Sequence, residues 1–135
     1  MDIWGPDIFP SDTTGMTWNP YWSSYRWYMT DILIEYARER VKALQNSKNV
    51  VFQVRDIIRK YDKSARIYHF GSTLRGDWNA YSDIDVLVIL NDQSVRDSIT
   101  VEAFQQLNAP VELHFCTGEQ FRSWYMKFID VYEEL

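Results

Sequence analysis

The chain has 135 residues, 46% hydrophobic and 24% charged, which suits one domain with a real core and excludes bulk disorder. A net charge of −5 argues against a nucleic-acid binder, and the single Cys116 excludes an internal disulfide and fits a reducing, cytoplasmic setting. The longest apolar run, Val86 to Leu90, is far too short for a membrane span, and no charged-then-apolar leader is expected at the start.

Residues 1–22 read as an irregular, aromatic-rich arm. Pro6, Pro10 and Pro20, with Gly5 and Gly15, punctuate it against helix and strand. Trp4, Phe9, Trp18, Tyr21, Trp22, Tyr25, Trp27 and Tyr28 crowd the first thirty positions. Side chains of this size serve either to pack across the domain's own core or to bind another chain.

Residues 23–135 read as a single domain. Helical spacing begins near Ser24, with Leu33, Tyr36, Ala37, Val41 and Leu44 on one stripe. Asn46, Ser47 and Asn49 interrupt it, and Val50, Val54, Ile57, Ile58 and Tyr61 form a second stripe. Arg66–Phe70 reads as a short strand stopped by Gly71. Ile84–Leu90 is a strongly apolar strand. A helix follows over Ser94–Leu107 with Ser94 as its cap, and Asn108, Ala109 and Pro110 break it. Val111–Phe115 is a third strand. Thr117 and Gln120 spell a capping box ahead of a stripe at Phe121, Trp124, Tyr125 and Phe128. The order predicts a small α/β (α+β) domain with a mixed sheet of three to four strands flanked by helices.

Charge is uneven along this order. The segment from Arg38 to Arg75 carries ten basic residues against three acids, leaving the rest of the chain strongly acidic. Such a segment either steers a phosphate-bearing substrate or acidic partner, or consists of ordinary solvated helix faces.

Asp83 and Asp85 stand at the entry to the second strand. Alternation places i and i+2 on one face, about 6.6 Å apart along the strand, so both carboxylates converge on one divalent cation. Magnesium suits such oxygen donors and completes its shell with water and phosphate oxygens. Gly71 permits close backbone approach, and a helix starting at Ser72 would offer free N–H groups to an anion, with the Ser72 hydroxyl and Arg75 beside it. Glu112, between Val111 and Leu113 on the third strand, is the natural third acid. His114 shares a face with Glu112, but no second His or Cys accompanies it, so His69 and His114 read as structural. Cys116 reads as inert.

Strand, Gly-Ser, short helix, Asp-x-Asp opening a strand, then a third acid on a later strand: together these resemble the polymerase-β nucleotidyltransferase superfamily. The segment runs Tyr68-His69-Phe70-Gly71-Ser72-Thr73-Leu74-Arg75-Gly76, then Ser82-Asp83-Ile84-Asp85-Val86-Leu87-Val88. It is most similar to the minimal nucleotidyltransferase family, whose members often read Gly-Ser-x-Ala-Arg-Gly before Ser-Asp-Ile-Asp; Leu74 departs from the usual alanine. The resemblance covers residues 66–90 closely and 111–115 loosely, within a catalytic core of about 65–130.

The resemblance implies a polymerase-β-like nucleotidyltransferase fold and a role for each matching position. Gly71 and Ser72, with Arg75 in support, hold the nucleotide's phosphates. Asp83, Asp85 and Glu112 bind Mg2+, with Mn2+ as a substitute. The substrate is a nucleoside triphosphate, and AMP from ATP passes to an acceptor. So small a member leaves little chain for an acceptor pocket. The implied partner is a helical HEPN-type protein in a toxin–antitoxin pair, or a second copy of the chain. Two other readings remain: a non-catalytic nucleotide- or partner-binding antitoxin, and a stand-alone transferase acting on a small molecule or RNA end. Overall acidity disfavours nucleic acid, which only the basic segment admits.

Overall fold

In a computed structural model, residues 20–125, 127 and 131–135 are described, with side chains from Met29 onward except those of Trp124 and Tyr125. The aromatic arm, apart from the Pro20–Trp22 backbone, lies outside the described residues, as do Phe128 and the rings of Tyr25, Trp27, Tyr28, Trp124 and Tyr125. The chain divides at Arg38 and Glu39 into two units. The site lies within the second.

Helix α1 runs Pro20–Gln45 and α2 runs Ser47–Tyr61. Pro20 opens α1, a position where its missing N–H leaves no helical bond unmade; the helix thus starts four residues before the predicted Ser24. The predicted α1 stripe is buried only at its end: Leu44 is enclosed, whereas Leu33 and Tyr36 are exposed. The α2 stripe is buried at Val50, Val54, Ile57 and Ile58, with Val51 added, but its last member, Tyr61, is exposed and its hydroxyl donates to Glu102.

Strand β1 (Arg66–Phe70) leads through Gly71 into the four-residue helix α3 (Ser72–Arg75), and β2 spans Ile84–Ile89. A 3-10 turn at Gln93–Val95 leads into α4 (Arg96–Gln106). Here the structure corrects the predicted cap. Asp92, not Ser94, closes the start, its carboxylate accepting from the Ser94 N–H at 2.9 Å and the Ser94 hydroxyl at 2.6 Å. The charged acceptor outcompetes the hydroxyl. Strand β3 (Val111–Cys116) follows, then the capping box: Thr117 Oγ1 accepts from Gln120 N, and Gln120 Oε1 accepts from Thr117 N. It opens α5 (Gly118–Gln120), which passes into a π-turn at Phe121–Tyr125.

The sheet has the upper of the three to four strands expected, and the fourth, β4 (Tyr132–Glu134), lies where no sequence signal marks it. All three residues are exposed, and the pair Glu133-Glu134 carries no strand signal. The free edge of β1 recruits it: Tyr68 pairs with Glu134 and Phe70 with Tyr132, and the Tyr68 ring meets that of Tyr132 edge-on at 5.4 Å.

The sheet order is β3-β2-β1-β4, with β2 and β3 parallel and the other pairs antiparallel. This is the mixed, helix-flanked α+β sheet that the sequence predicts. One face packs Ile67, Ile84, Val86 and Val88 against α2 and α4 residues Val54, Ile58 and Ile99. The other face carries Tyr68, Leu87, Ile89, Cys116 and Phe121, with Tyr68 stacked on Phe121 at 5.0 Å. Both faces of β2 are therefore covered along most of its length, which explains its near-continuous apolar sequence. Among the described residues no helix is long and apolar enough to cross a membrane.

Ile58 is fully buried in the helix-side core. Replacing it with alanine leaves a cavity; Ile58→Ala is expected to cost about 2–5 kcal/mol, read as a lower denaturation midpoint with unchanged slope.

Candidate functional site

Strand alternation decides which side chains reach the site. On β2, Ile84 and Val86 point to the helix-side core, so Asp85 points to the opposite face. On β3, Leu113 and Phe115 pack against the same core, so Glu112 and His114 share the face of Asp85. Parallel register then sets Asp85 directly beside Glu112, and Leu87 beside His114.

Three donor atoms, one each from Asp85, Glu112 and His114, lie within 4.8 Å of one another. His114 Nε2 stands 3.3 Å from Asp85 Oδ1 and 3.7 Å from Glu112 Oε1. The Asp85 and His114 side chains are mostly covered, while that of Glu112 is 55% exposed. The hydrogen bond to Asp85 pushes the His114 imidazole above the ordinary range; burial opposes this and Glu112 adds to it. The Phe70 ring flanks the imidazole at 5.3 Å between centroids. Two carboxylates and an imidazole so arranged suit a divalent cation.

Gly71 supplies the room. Its φ is +83°, a region that L side chains rarely adopt, and a Cβ there would lie 2.3 Å from Asp85 Oδ2. The backbone turn and the carboxylate occupy nearly the same space, which only glycine tolerates. Behind the turn, His69 is fully buried and its Nε2 lies 2.8 Å from Thr73 Oγ1. Burial pushes this imidazole below its ordinary range, so it braces the turn as a neutral ring. Leu74 N–H and Arg75 N–H both donate to the Gly71 carbonyl, and Gly76, at φ +93°, ends α3. Ser72, at the turn, is half-buried. Arg75 is exposed and pairs with Asp77 at 3.4 Å.

Asp83 stands apart from the three-donor cluster. Its Oδ1 accepts from Arg40 Nη2 at 2.9 Å. The same guanidinium donates to the carbonyls of Ala80 (2.9 Å), Tyr81 (3.2 Å) and Ser82 (2.8 Å). Arg40 thus fastens the loop leading into β2. Just beyond, Ile84 N–H donates to the Pro110 carbonyl at 2.7 Å and ties the entries of β2 and β3 together.

Two participants escape the sequence reading. Arg40 figures there only as one basic residue among ten, although it lies four positions before the buried Leu44 and hence on the same helical face. His114 is read as structural, although its alternation with Glu112 is visible. Part of the wider basic segment is engaged in ion pairs. Arg38, Lys42, Arg55, Lys60 and Arg66 each pair with an acid, at Glu35, Glu39, Asp56, Glu102 and Glu134. Cys116 is buried and its thiol is pushed up to about 11, which keeps it protonated and inert.

Residues 51–133 match the family model described as a nucleotidyltransferase domain. Among solved structures, one candidate nucleotidyltransferase is 27% identical and covers 63% of this chain and 96% of its own, with a TM-score of 0.46. Another, from Sulfolobus solfataricus, is 18% identical and covers 73% of this chain and 84% of its own, with a TM-score of 0.43. No curated protein matches the chain.

Gly71→Ala is expected to drive the Asp85 carboxylate off its position and weaken divalent-cation binding roughly 10–100-fold, measured by calorimetric titration on a variant whose circular dichroism is unchanged. Arg40→Ala removes four donated bonds from the loop; faster amide hydrogen exchange is expected at Asn79–Asp83, with about 1–3 kcal/mol lost in stability.

Proposed function

The chain belongs to the nucleotidyltransferase domain family, and on that premise we propose that it moves a nucleoside monophosphate, AMP from ATP, onto an acceptor hydroxyl. The observation that carries this reading is the side-by-side placement of Asp85 and Glu112 against the Gly71 turn. An acidic pair alone is a common surface feature. An acidic pair that demands a glycine at positive φ beside it is a shaped site.

The residues divide the work by position. Gly71 and Ser72 hold the triphosphate through backbone N–H groups and the Ser72 hydroxyl, with Arg75 lending positive charge at the rim. Divalent cations, magnesium or manganese, held by Asp83, Asp85 and Glu112, would stabilise charge on the attacking and leaving oxygens. The acceptor oxygen forms a bond to the α-phosphorus, the bond from that phosphorus to its bridging oxygen breaks, and pyrophosphate leaves. The acceptor's proton passes to Glu112 or Asp85; Glu112 is the more exposed of the two. Arg40 holds Asp83 and its loop while the chemistry proceeds a few residues away.

The choice of donor and partner rests on the motif spelling shared with minimal nucleotidyltransferases, Gly71-Ser72-Thr73-Leu74-Arg75-Gly76 followed by Ser82-Asp83-Ile84-Asp85. On that resemblance the acceptor is a helical HEPN-type protein, with this chain as its antitoxin.

The test is label transfer. The purified protein is incubated with α-labelled ATP, a divalent cation and lysate of its own host, beside Asp85→Asn. Label is expected with the wild type alone, and its appearance on a protein, an RNA or a metabolite names the acceptor class. Equal labelling by Asp85→Asn would remove the site assignment.

A further inference from the structure

We propose that His114 is a direct ligand of the cation at this site and tunes it toward first-row transition ions over magnesium. The inference rests on the reading that Asp85 and Glu112 hold a divalent cation, and adds a third, nitrogen donor that an all-carboxylate description leaves out.

Geometry comes first. Neighbouring ligands of an octahedral ion with bonds of about 2.1 Å stand about 3 Å apart. Nε2 of His114 lies 3.3 Å from one carboxylate oxygen and 3.7 Å from the other, close to that spacing before any ion draws the donors in. The ring is held there by its strand and by the Phe70 ring against it. All three donor atoms lie within 4.8 Å of one another, on one face of the sheet.

The donor type then decides which ion is favoured. Magnesium takes oxygen ligands and gives up its waters reluctantly. Imidazole suits transition ions, whose affinity for nitrogen rises from Mn2+ along the series. A nitrogen in the ligand set therefore weights the site against Mg2+. Manganese gains least from nitrogen of these ions, so it is the most demanding probe, and its unpaired electrons report its ligands.

A purely structural His114 would make the same contact with Asp85, so the readout must be ligation itself. Wild-type protein loaded with Mn2+ alone is examined by pulsed electron paramagnetic resonance, unlabelled and with 15N-histidine. We expect nitrogen modulation from a directly bound imidazole, with its frequencies changed by the isotope. His114→Gln, checked by circular dichroism, is expected to lose the modulation, to weaken Mn2+ binding about tenfold or more, and to change Mg2+ binding less than about twofold. Bound Mn2+ without nitrogen coupling overturns the inference, as does equal weakening of both ions. The isotope arm needs no variant, so misfolding of His114→Gln leaves the test intact. If Asp85→Asn binds Mn2+ as the wild type does, the cation-site reading falls, and His114 with it. If nitrogen coupling is seen but no label is transferred, the ligand assignment stands and the transferase assignment falls.

Discussion

Parallel pairing of β2 with β3 sets Asp85 and Glu112 abreast on neighbouring strands, which lie about 4.8 Å apart. Two like charges at that separation repel, and on a sheet face partly screened from water the repulsion is not trivial. The surroundings answer it without removing it. His114 stands between the two carboxylates as a donor, and the hydrogen bond to Asp85 favours its charged form. Asp83, two residues earlier, has its own countercharge in Arg40. Gly71 brings the backbone turn close to the Asp85 carboxylate, where any other residue would intrude. The site is built around negative charge that is only partly offset, and the apolar pattern on the reverse of the sheet keeps the register that creates it.

That register explains why the apolar pattern and the chemistry come interleaved in one short segment. Ile84, Val86 and Val88 belong to the helix-side core, and the acid at 85 is the alternate position between them. A slip of one residue would bury the carboxylate and expose the core. Burial of the isoleucine and valines therefore fixes the carboxylate's direction with the full weight of hydrophobic packing, far more than any hydrogen bond at the site contributes. The Ile84–Pro110 backbone bond adds a local lock at the end where it matters.

Sequence reasoning reached most of this because the strands are strongly patterned. The α2 stripe, β1, β2, β3 and the Thr117–Gln120 capping box are all legible from spacing and residue type. It failed where tertiary context overrides local signal. Strand β4 exists because β1 has a free edge, not because Glu133 and Glu134 favour extended structure. Asp92 caps the turn before α4 because a carboxylate binds Ser94 more strongly than Ser94's hydroxyl binds the backbone. Arg40 is separated from Asp83 by about a third of the chain, and no local pattern joins them. His114 is visible on the face of Glu112, but its approach to Asp85 depends on the pairing of β2 with β3. Its partners are carboxylates, and a mixed oxygen and nitrogen set has no short spelling.

The buried His69–Thr73 contact bears on how the site behaves in time. His69 lies on the helix-side face of β1, and Thr73 lies on α3, so the hydrogen bond sews the glycine turn to the core rather than to the surface. Loops that bind ligands usually belong to the least stable part of a protein and open often. Lifting this turn would strand a buried imidazole without its partner, which opposes such opening. The glycine turn therefore shares the cooperative unit of the sheet. Its shape is settled at folding.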